Sequence, residues 1–541
     1  MPYASSSIPS TNLNDSPIAC KQREREMDKL SFEVVSLILD NLPDDDEYGV
    51  GPKLAPYATI SRTWQAAVEA RTFARVTVRN LDHLQPLFSP STYRPAALRE
   101  LAFEVHLPVD SESRAHHRQN QSAVLAAFTS LLGQLAACEA QPSNGGHVGP
   151  IKLRIGFLGP DGDVFLDRTA ANKRYLEFPG EEVGALAAIR SVSWLILAAR
   201  CGGRGLHPGT ACQLATRFSD LQRLELHYWD PALKRPAQRK ANRSKLAAGI
   251  KNLDQLPRLS RLSIVRNGGF EPANHGFENT GLEYEAAGST VDLLCEALRD
   301  LASKGALQEL ELRNELISPD LFRNRRQRQS AAWGDQQQEQ EEWPSLKRLE
   351  IDAPIVAPSG KWYYTGEESD VATGPPWVPP PDLPPHPYGA DENCDSAALS
   401  DADMDDVDRD AEANGVQPAR QWRTRPDPEA FNRLANDLLA AVNRMPRLKN
   451  CAFGMSPFHD RSVSVEIQCV EPGEAFLWNV VRIDNKGEVE YHEENLAVRR
   501  IEIHISYGTR WEVPEEVGAK CAEWVGSKGE VAVLQGGRRL Y

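Results

Sequence analysis

The chain has 541 residues, of which 41% are apolar and 25% charged, and a formal net charge of −15. That length and balance suit a globular protein with more than one core. Residues 391–412 carry ten acidic side chains against Arg409, which leaves about −6 for the rest and speaks against a general nucleic-acid or anionic-membrane binder, both of which need a basic face.

No apolar run reaches the roughly 18 residues of a spanning helix, so no membrane segment is expected. Residues 1–20 have neither the basic head nor the apolar stretch of an export signal, and cytoplasmic or nuclear residence is expected. The nine cysteines are scattered and never spaced CxxC, so reduced, mostly buried thiols are expected rather than disulfides or a zinc site.

Residues 1–26 read as a disordered tail, and residues 27–80 as a helical domain. In "MDKLSFEVVSLILDNL" (27–42), Leu30, Val34, Val35, Ile38, Leu39 and Leu42 recur at helical spacing, Ser31 is a helix cap, and Glu33 suits the positive end of the dipole. Six apolar positions on so short a helix form a stripe wide enough for two neighbours. An acidic insert follows, and then "KLAPYATISRTWQAAVEARTF", where Leu54, Ile60, Trp64, Ala67 and Val68 predict a second helix with Pro56 in its first turn. So small a unit leaves apolar surface unburied, which predicts a docking face.

These residues resemble the F-box, the motif that docks a substrate receptor on the Skp-type adaptor of an SCF ubiquitin ligase. The likeness rests on Leu30 and Glu33, on Val34, Ile38 and Leu42, on Leu54 and Ala58, and on the block Ile60-Ser61-Arg62-Thr63-Trp64. It covers residues 27–75 and is closest to the fungal form, which runs on to a Phe such as Phe73 and a strand like "ARVTV". Where the family has Pro after the leading Leu, this chain has Ser31. The resemblance implies an adaptor-binding surface made of or supported by Leu30, Ser31, Glu33, Val34, Ile38, Leu42, Leu54, Ile60, Ser61 and Trp64. It also implies a cullin assembly as partner.

Residues 81–356 predict an α/β solenoid, because from there on one phrase recurs: an apolar residue, two variable ones, an apolar residue, one variable, an apolar residue. It stands at 98 (LRELAF), 221 (LQRLEL), 259 (LSRLSI), 307 (LQELEL), 346 (LKRLEI) and less cleanly at 448 (LKNCAF). Each predicts a short strand with one buried face, and "IKLRIGFLG" at 151 and "SVSWLILAA" at 191 add two more. Helical spacing in "TVDLLCEALRDLASKGA" and "FNRLANDLLAAVNRMP" precedes two of them. The expected fold class is α/β: the F-box-like helices, then an irregular leucine-rich-repeat-like solenoid, then an antiparallel β cap. The phrases "ELISPDLF" (315–322) and "WPSLKRLEIDAPIVAPSGKWYYTG" (343–366) also resemble fungal F-box proteins.

Residues 357–425, proline-rich and then acidic, predict a disordered insertion. Residues 426–541 predict the last repeat, a cap built on alternation at 463–469 and 501–507 with a hairpin turn at "DNKG" (484–487), and a helix burying Val517, Cys521 and Trp524.

The chain shows no motif of hydrolase, zinc, nucleotide or redox chemistry, so no catalytic residue, metal or cofactor is expected. "CGGRGLHPG" (201–209) reads as a loop, and His116 and His117 as solvated imidazoles. Two basic clusters, Lys234, Arg235, Arg239, Lys240, Arg243, Lys245 and Arg323, Arg325, Arg326, Arg328, read as solvated runs or as a face for an acidic or phosphorylated target. The expectation is a non-catalytic receptor for an unidentified protein target, with a repeat scaffold that no longer binds the adaptor as the alternative.

Overall fold

The computed structural model describes residues 30–42, 54–88, 94–108, 114–140, 149–159, 175–198, 205–267, 271–286, 289–323, 343–370, 411–417, 419–457, 462–478, 482–483, 489–490, 497–536 and 538–539. It is a mixed α/β protein built on one large, mostly parallel sheet. Its strands are β1 (Arg75–Val78), β2 (Glu100–His106), β3 (Ile151–Leu158), β4 (Val192–Ala198), β5 (Arg223–Trp229), β6 (Arg261–Asn267), β7 (Glu309–Arg313), β8 (Arg348–Ala353), β9 (Asn450–Met455), β10 (Val465–Val470), β11 (Arg500–Ile505), β12 (Glu530–Gln535) and β13 (Arg538–Arg539).

Spatial order follows chain order throughout, and β1 to β9 are all parallel. All six repeated phrases, and both added candidates, are strands of this sheet. Register explains the phrase. Its middle leucine forms one row, Leu101, Leu153, Leu195, Leu224, Leu262, Leu310 and Leu349, and Cys451 continues it. Every member of that row is buried. The leading leucine, as in Leu98, Leu221, Leu259, Leu307, Leu346 and Leu448, is buried at the approach to each strand.

The helices between strands are α3 (Arg114–Ala140), α4 (Pro208–Ala215), α5 (Pro236–Asn252), α6 (Leu293–Ser303), α7 (Ala430–Asn443) and α8 (Glu515–Val525). Their starts are chemically explicit. Asp292 accepts from the Leu294 and Cys295 amides at α6, and Asp427 accepts from the Ala430 amide at 2.7 Å at α7. Gly305, with φ of +94°, ends the turn after α6 in a conformation that favours glycine. The helices' apolar stripes and the leucine rows form one core.

A second apolar row, Phe103, Ile155, Leu197, Leu226, Ile264, Leu312, Ile351 and Phe453, is buried two residues further on, and one row of the opposite face is polar. Glu100, Lys152, Trp194, Arg223, Arg261, Glu309 and Arg348 stand in register across seven strands and are half-buried or exposed. Lys152 and Arg223 both lie over the Trp194 ring, at 4.4 and 5.1 Å, and Arg261 pairs with Glu309. A parallel sheet usually buries both faces, so this charged face is a departure.

Three expectations change. The cap is not wholly antiparallel: β10 and β11 are, but β12 returns parallel to β11 through α8. Alternation marks a strand's buried face and says nothing of its direction. The strands of residues 426–541 extend the same sheet and core. The insertion is narrower than 357–425. Tyr363 and Tyr364 are buried, Tyr364–Thr365 pairs with Arg425–Pro426, and Asn274 and His275 donate to the carbonyls of Gly415 and Arg420. Finally, an apolar helix long enough to span a bilayer exists: Ala115–Ala140, with a window of mean hydropathy 1.5. Thr129, Ser130 and Gln134 interrupt the run in sequence, yet Val124, Phe128, Leu131, Leu132 and Leu135 pack into the core. The tail at 1–26, the acidic insert, the segment 371–410 and the "DNKG" turn lie outside the described residues, although Arg482–Ile483 and Val489–Glu490 pair antiparallel around that turn.

Candidate docking surface

The N-terminal unit consists of α1 (Phe32–Asp40), a 3-10 turn (Ala55–Thr59) and α2 (Arg62–Thr72). The predicted second helix is therefore two elements. Pro56 sits in the first turn of the 3-10 segment, and Ser61 starts α2 by accepting from the Trp64 amide at 3.4 Å. Ser31 caps α1 in the same way through the Val34 amide. Its φ of −68° is one that proline adopts, so serine here leaves the chain path unchanged. The Glu33 carboxyl is held below the usual range by hydrogen bonds from its own backbone amide and the Ser31 hydroxyl.

The unit has its own core, distinct from that of the sheet: Val35, Leu39, Trp64, Ala67 and Val68. Tyr57 stacks on Trp64 with centroids 6.0 Å apart, and Arg71 pairs with Asp40 across the helices. The ten expected surface residues divide among three jobs. Trp64 is buried, and Leu30, Leu42, Leu54 and Ile60 are half-buried against this core, so they hold the two helices together. Ser31 and Ser61 are caps. Val34 and Ile38 remain 43% and 38% exposed, on the side of α1 away from Val35 and Leu39, and Glu33 is exposed beside them.

One member of the outward face escaped the periodic reading: Leu37, 64% exposed, which neighbours Val34 and Ile38, whereas Phe32, 42% exposed, starts the stripe that continues with Val35 and Leu39. A single-stripe template leaves Leu37 out. The signal that finds it is the number of apolar residues, six of the nine in α1, because a helix apolar nearly all round must be buried on more than one side. Of the seven large apolar side chains exposed among the described residues, four lie on this one helix.

The first basic cluster is not a simple solvated run, since two of its arginines are buried. It lies on α5, where Arg239 and Arg243 point inward. Arg243 donates to Asp292 Oδ2 at 2.9 Å, to Glu315 at 2.7 Å and to the Leu316 carbonyl at 2.8 Å, and Ser318 donates to the same Asp292 oxygen at 2.9 Å. Arg239 and Arg266 share Asp230, and Tyr228 donates to Glu315. Burial alone would raise the Asp230 and Asp292 carboxyls, but the guanidinium charges outweigh it and hold both below the usual range. This network ties the turns after β5, β6 and β7 together, and "ELISPDLF" supplies Glu315 and Ser318 to it.

Of the second cluster, Arg323 pairs with Asp437 at 2.5 Å, and residues 325–328 lie outside the described residues. His116 and His117 are half-buried in α3 rather than solvated, and His207 of the glycine-rich stretch is buried, its Nδ1 accepting from the Gly209 amide at 3.0 Å. Cys212, Cys295, Cys451, Cys469 and Cys521 are free and buried, and Cys138 is free and half-buried; burial pushes the Cys138, Cys212, Cys295 and Cys521 thiols upward, and the Cys469 thiol is raised first by its hydrogen bond with Cys451 and then by burial. No protein-family model matches the chain, and no curated protein matches it significantly.

Proposed function

We propose that this chain is the substrate-recognition subunit of an SCF-type ubiquitin ligase, acting in the cytoplasm or nucleus. In this reading α1 and α2 dock the Skp-type adaptor and through it a cullin assembly. The sheet and its helices, read as an irregular leucine-rich-repeat-like solenoid, present a rigid surface to a target protein. Such a receptor needs no chemistry of its own, because holding a target lysine beside a charged enzyme raises its effective concentration.

The observation that carries the reading is the row of exposed Val34, Leu37 and Ile38 on a nine-residue helix whose other side is already buried. Contiguous exposed apolar surface of that kind marks an interface. The solenoid reading is supported by parallel strands that neighbour each other in chain order and by the leucine row that crosses them.

Co-expression with the host's Skp-type adaptor tests the proposal. The wild-type chain is expected to co-purify, and a Val34→Asp, Ile38→Asp variant to lose binding while its circular dichroism stays unchanged, because both side chains point to solvent. A folded wild-type chain that fails to bind sinks the receptor reading. It would leave the second reading, a repeat scaffold with a purely structural N-terminal unit, for which Ser31 in place of the family's Pro is the supporting departure.

A further inference from the structure

A cleft of about 1040 Å³ opens beside the carboxyl ends of β6, β7 and β8. Its walls are the hairpin formed by Tyr284–Ala286 and Ser289–Val291, the turn at Ser318–Asp320, the loop 357–363 and the start of α7. Crevices outside the carboxyl ends of parallel strands are where open α/β sheets present binding sites. This one exceeds the roughly 300–1,000 Å³ of small-molecule pockets. Its floor carries Trp362 and Tyr363, both anchored: the Tyr363 hydroxyl donates to the Ile317 carbonyl at 2.9 Å, and Trp362 lies against the Arg423 guanidinium at 4.9 Å and the His275 ring at 5.1 Å.

The lining holds five carboxylates against three cations. Glu285 on the hairpin and Glu429 at the start of α7 are exposed on different walls and in no ion pair among the described residues. They form no metal site, since no metal-holding group of His, Cys, Asp and Glu occurs among the described residues. Two carboxylate walls over an aromatic floor suit a cationic side chain carried on an extended backbone.

We propose that this cleft binds an extended peptide segment bearing Lys or Arg. The proposal deepens the receptor role and rests on it only in taking that peptide to belong to the target. The polar sheet face is a separate surface and is not needed for it.

The test is selection of a random nonapeptide library on the full-length chain, followed by fluorescence anisotropy with the winning peptides. Lys or Arg is expected to be enriched at one or two positions, with affinity falling as salt rises. A Glu285→Lys, Glu429→Lys variant, both sites being exposed, should bind those peptides about tenfold more weakly and should itself select Asp or Glu. No basic enrichment, or enrichment that the variant leaves unchanged, overturns the proposal. Basic enrichment that appears only after residues 324–342 are deleted also overturns it, because the cleft would then belong to this chain's own Arg325, Arg326 and Arg328. Adaptor co-purification, run on the same proteins, reports on the ligase role independently.

Discussion

At the scale of single residues, two histidines set how this protein responds to acid. The neutral His275 ring accepts at Nδ1 from the amides of both Trp422 and Arg423, each at 2.8 Å, and so pins the returning end of the 371–410 segment. The neutral His207 ring starts α4. Each is 1% exposed, and each pKa falls from 6.5 to about 4, in both cases chiefly through burial, with Arg423 adding to it at His275. A base whose folded pKa lies below its unfolded one takes up its proton first in the unfolded chain. Stability from these sites is therefore complete above about pH 6.5 and is lost as pH falls toward 4. Between pH 7 and pH 5 each should cost about 2 kcal/mol. Urea unfolding at the two pH values should show that loss in the wild type and a loss smaller by about that amount in His275→Asn or His207→Asn, where the amide oxygen still accepts but cannot charge. Equal losses in all three chains would show that the rings do not titrate as described.

At the scale of elements, close approach governs what the helices tolerate. Gly209 on α4 and Gly249 on α5 let the two backbones touch: a methyl group at 249 would sit 2.9 Å from the Gly209 Cα, and one at 209 would sit 2.5 Å from the Lys245 carbonyl oxygen. Gly249→Ala should therefore destabilise by about 1–3 kcal/mol despite alanine's better helix propensity. At the exposed Gly133 of α3 nothing lies within 4 Å, and there the same substitution should stabilise by up to about 1 kcal/mol. Denaturant midpoints of opposite sign would confirm the pair; matching signs would contradict it. The contrast also shows where sequence reading reaches its limit. The repeated phrase made the strands legible, because alternation and the approaching leucine are local patterns. Gly209, read as part of a loop, takes its meaning from a helix over thirty residues away, as Arg243 does from Asp292 and Glu315. In the docking unit the caps and the inner stripe were legible, whereas Leu37 became visible only once Val35 and Leu39 were seen to fill the inside.

At the scale of the whole molecule, two cores imply two levels of cooperativity. Val35, Leu39, Trp64, Ala67 and Val68 form a cluster separate from the one that runs under the entire sheet. The large core is continuous from Val78 to Val525, so the sheet should unfold as one body, with the helical pair opening at lower cost. Phe73 and Val76 already pack on the large core, which places the natural boundary just before them. A chain beginning at Phe73 should keep the near-ultraviolet circular dichroism and urea midpoint of the sheet body. In the full chain Trp64→Ala should remove roughly 3–5 kcal/mol from the helical pair alone. Hydrogen exchange then separates the possibilities: amides of α1 and α2 should lose protection while those of β3 to β9 keep theirs. A uniform loss across both sets would mean that the two cores are energetically one. In that case a docking-deficient truncation could not serve to trap targets, because the surface that selects them would fail together with the helices that dock.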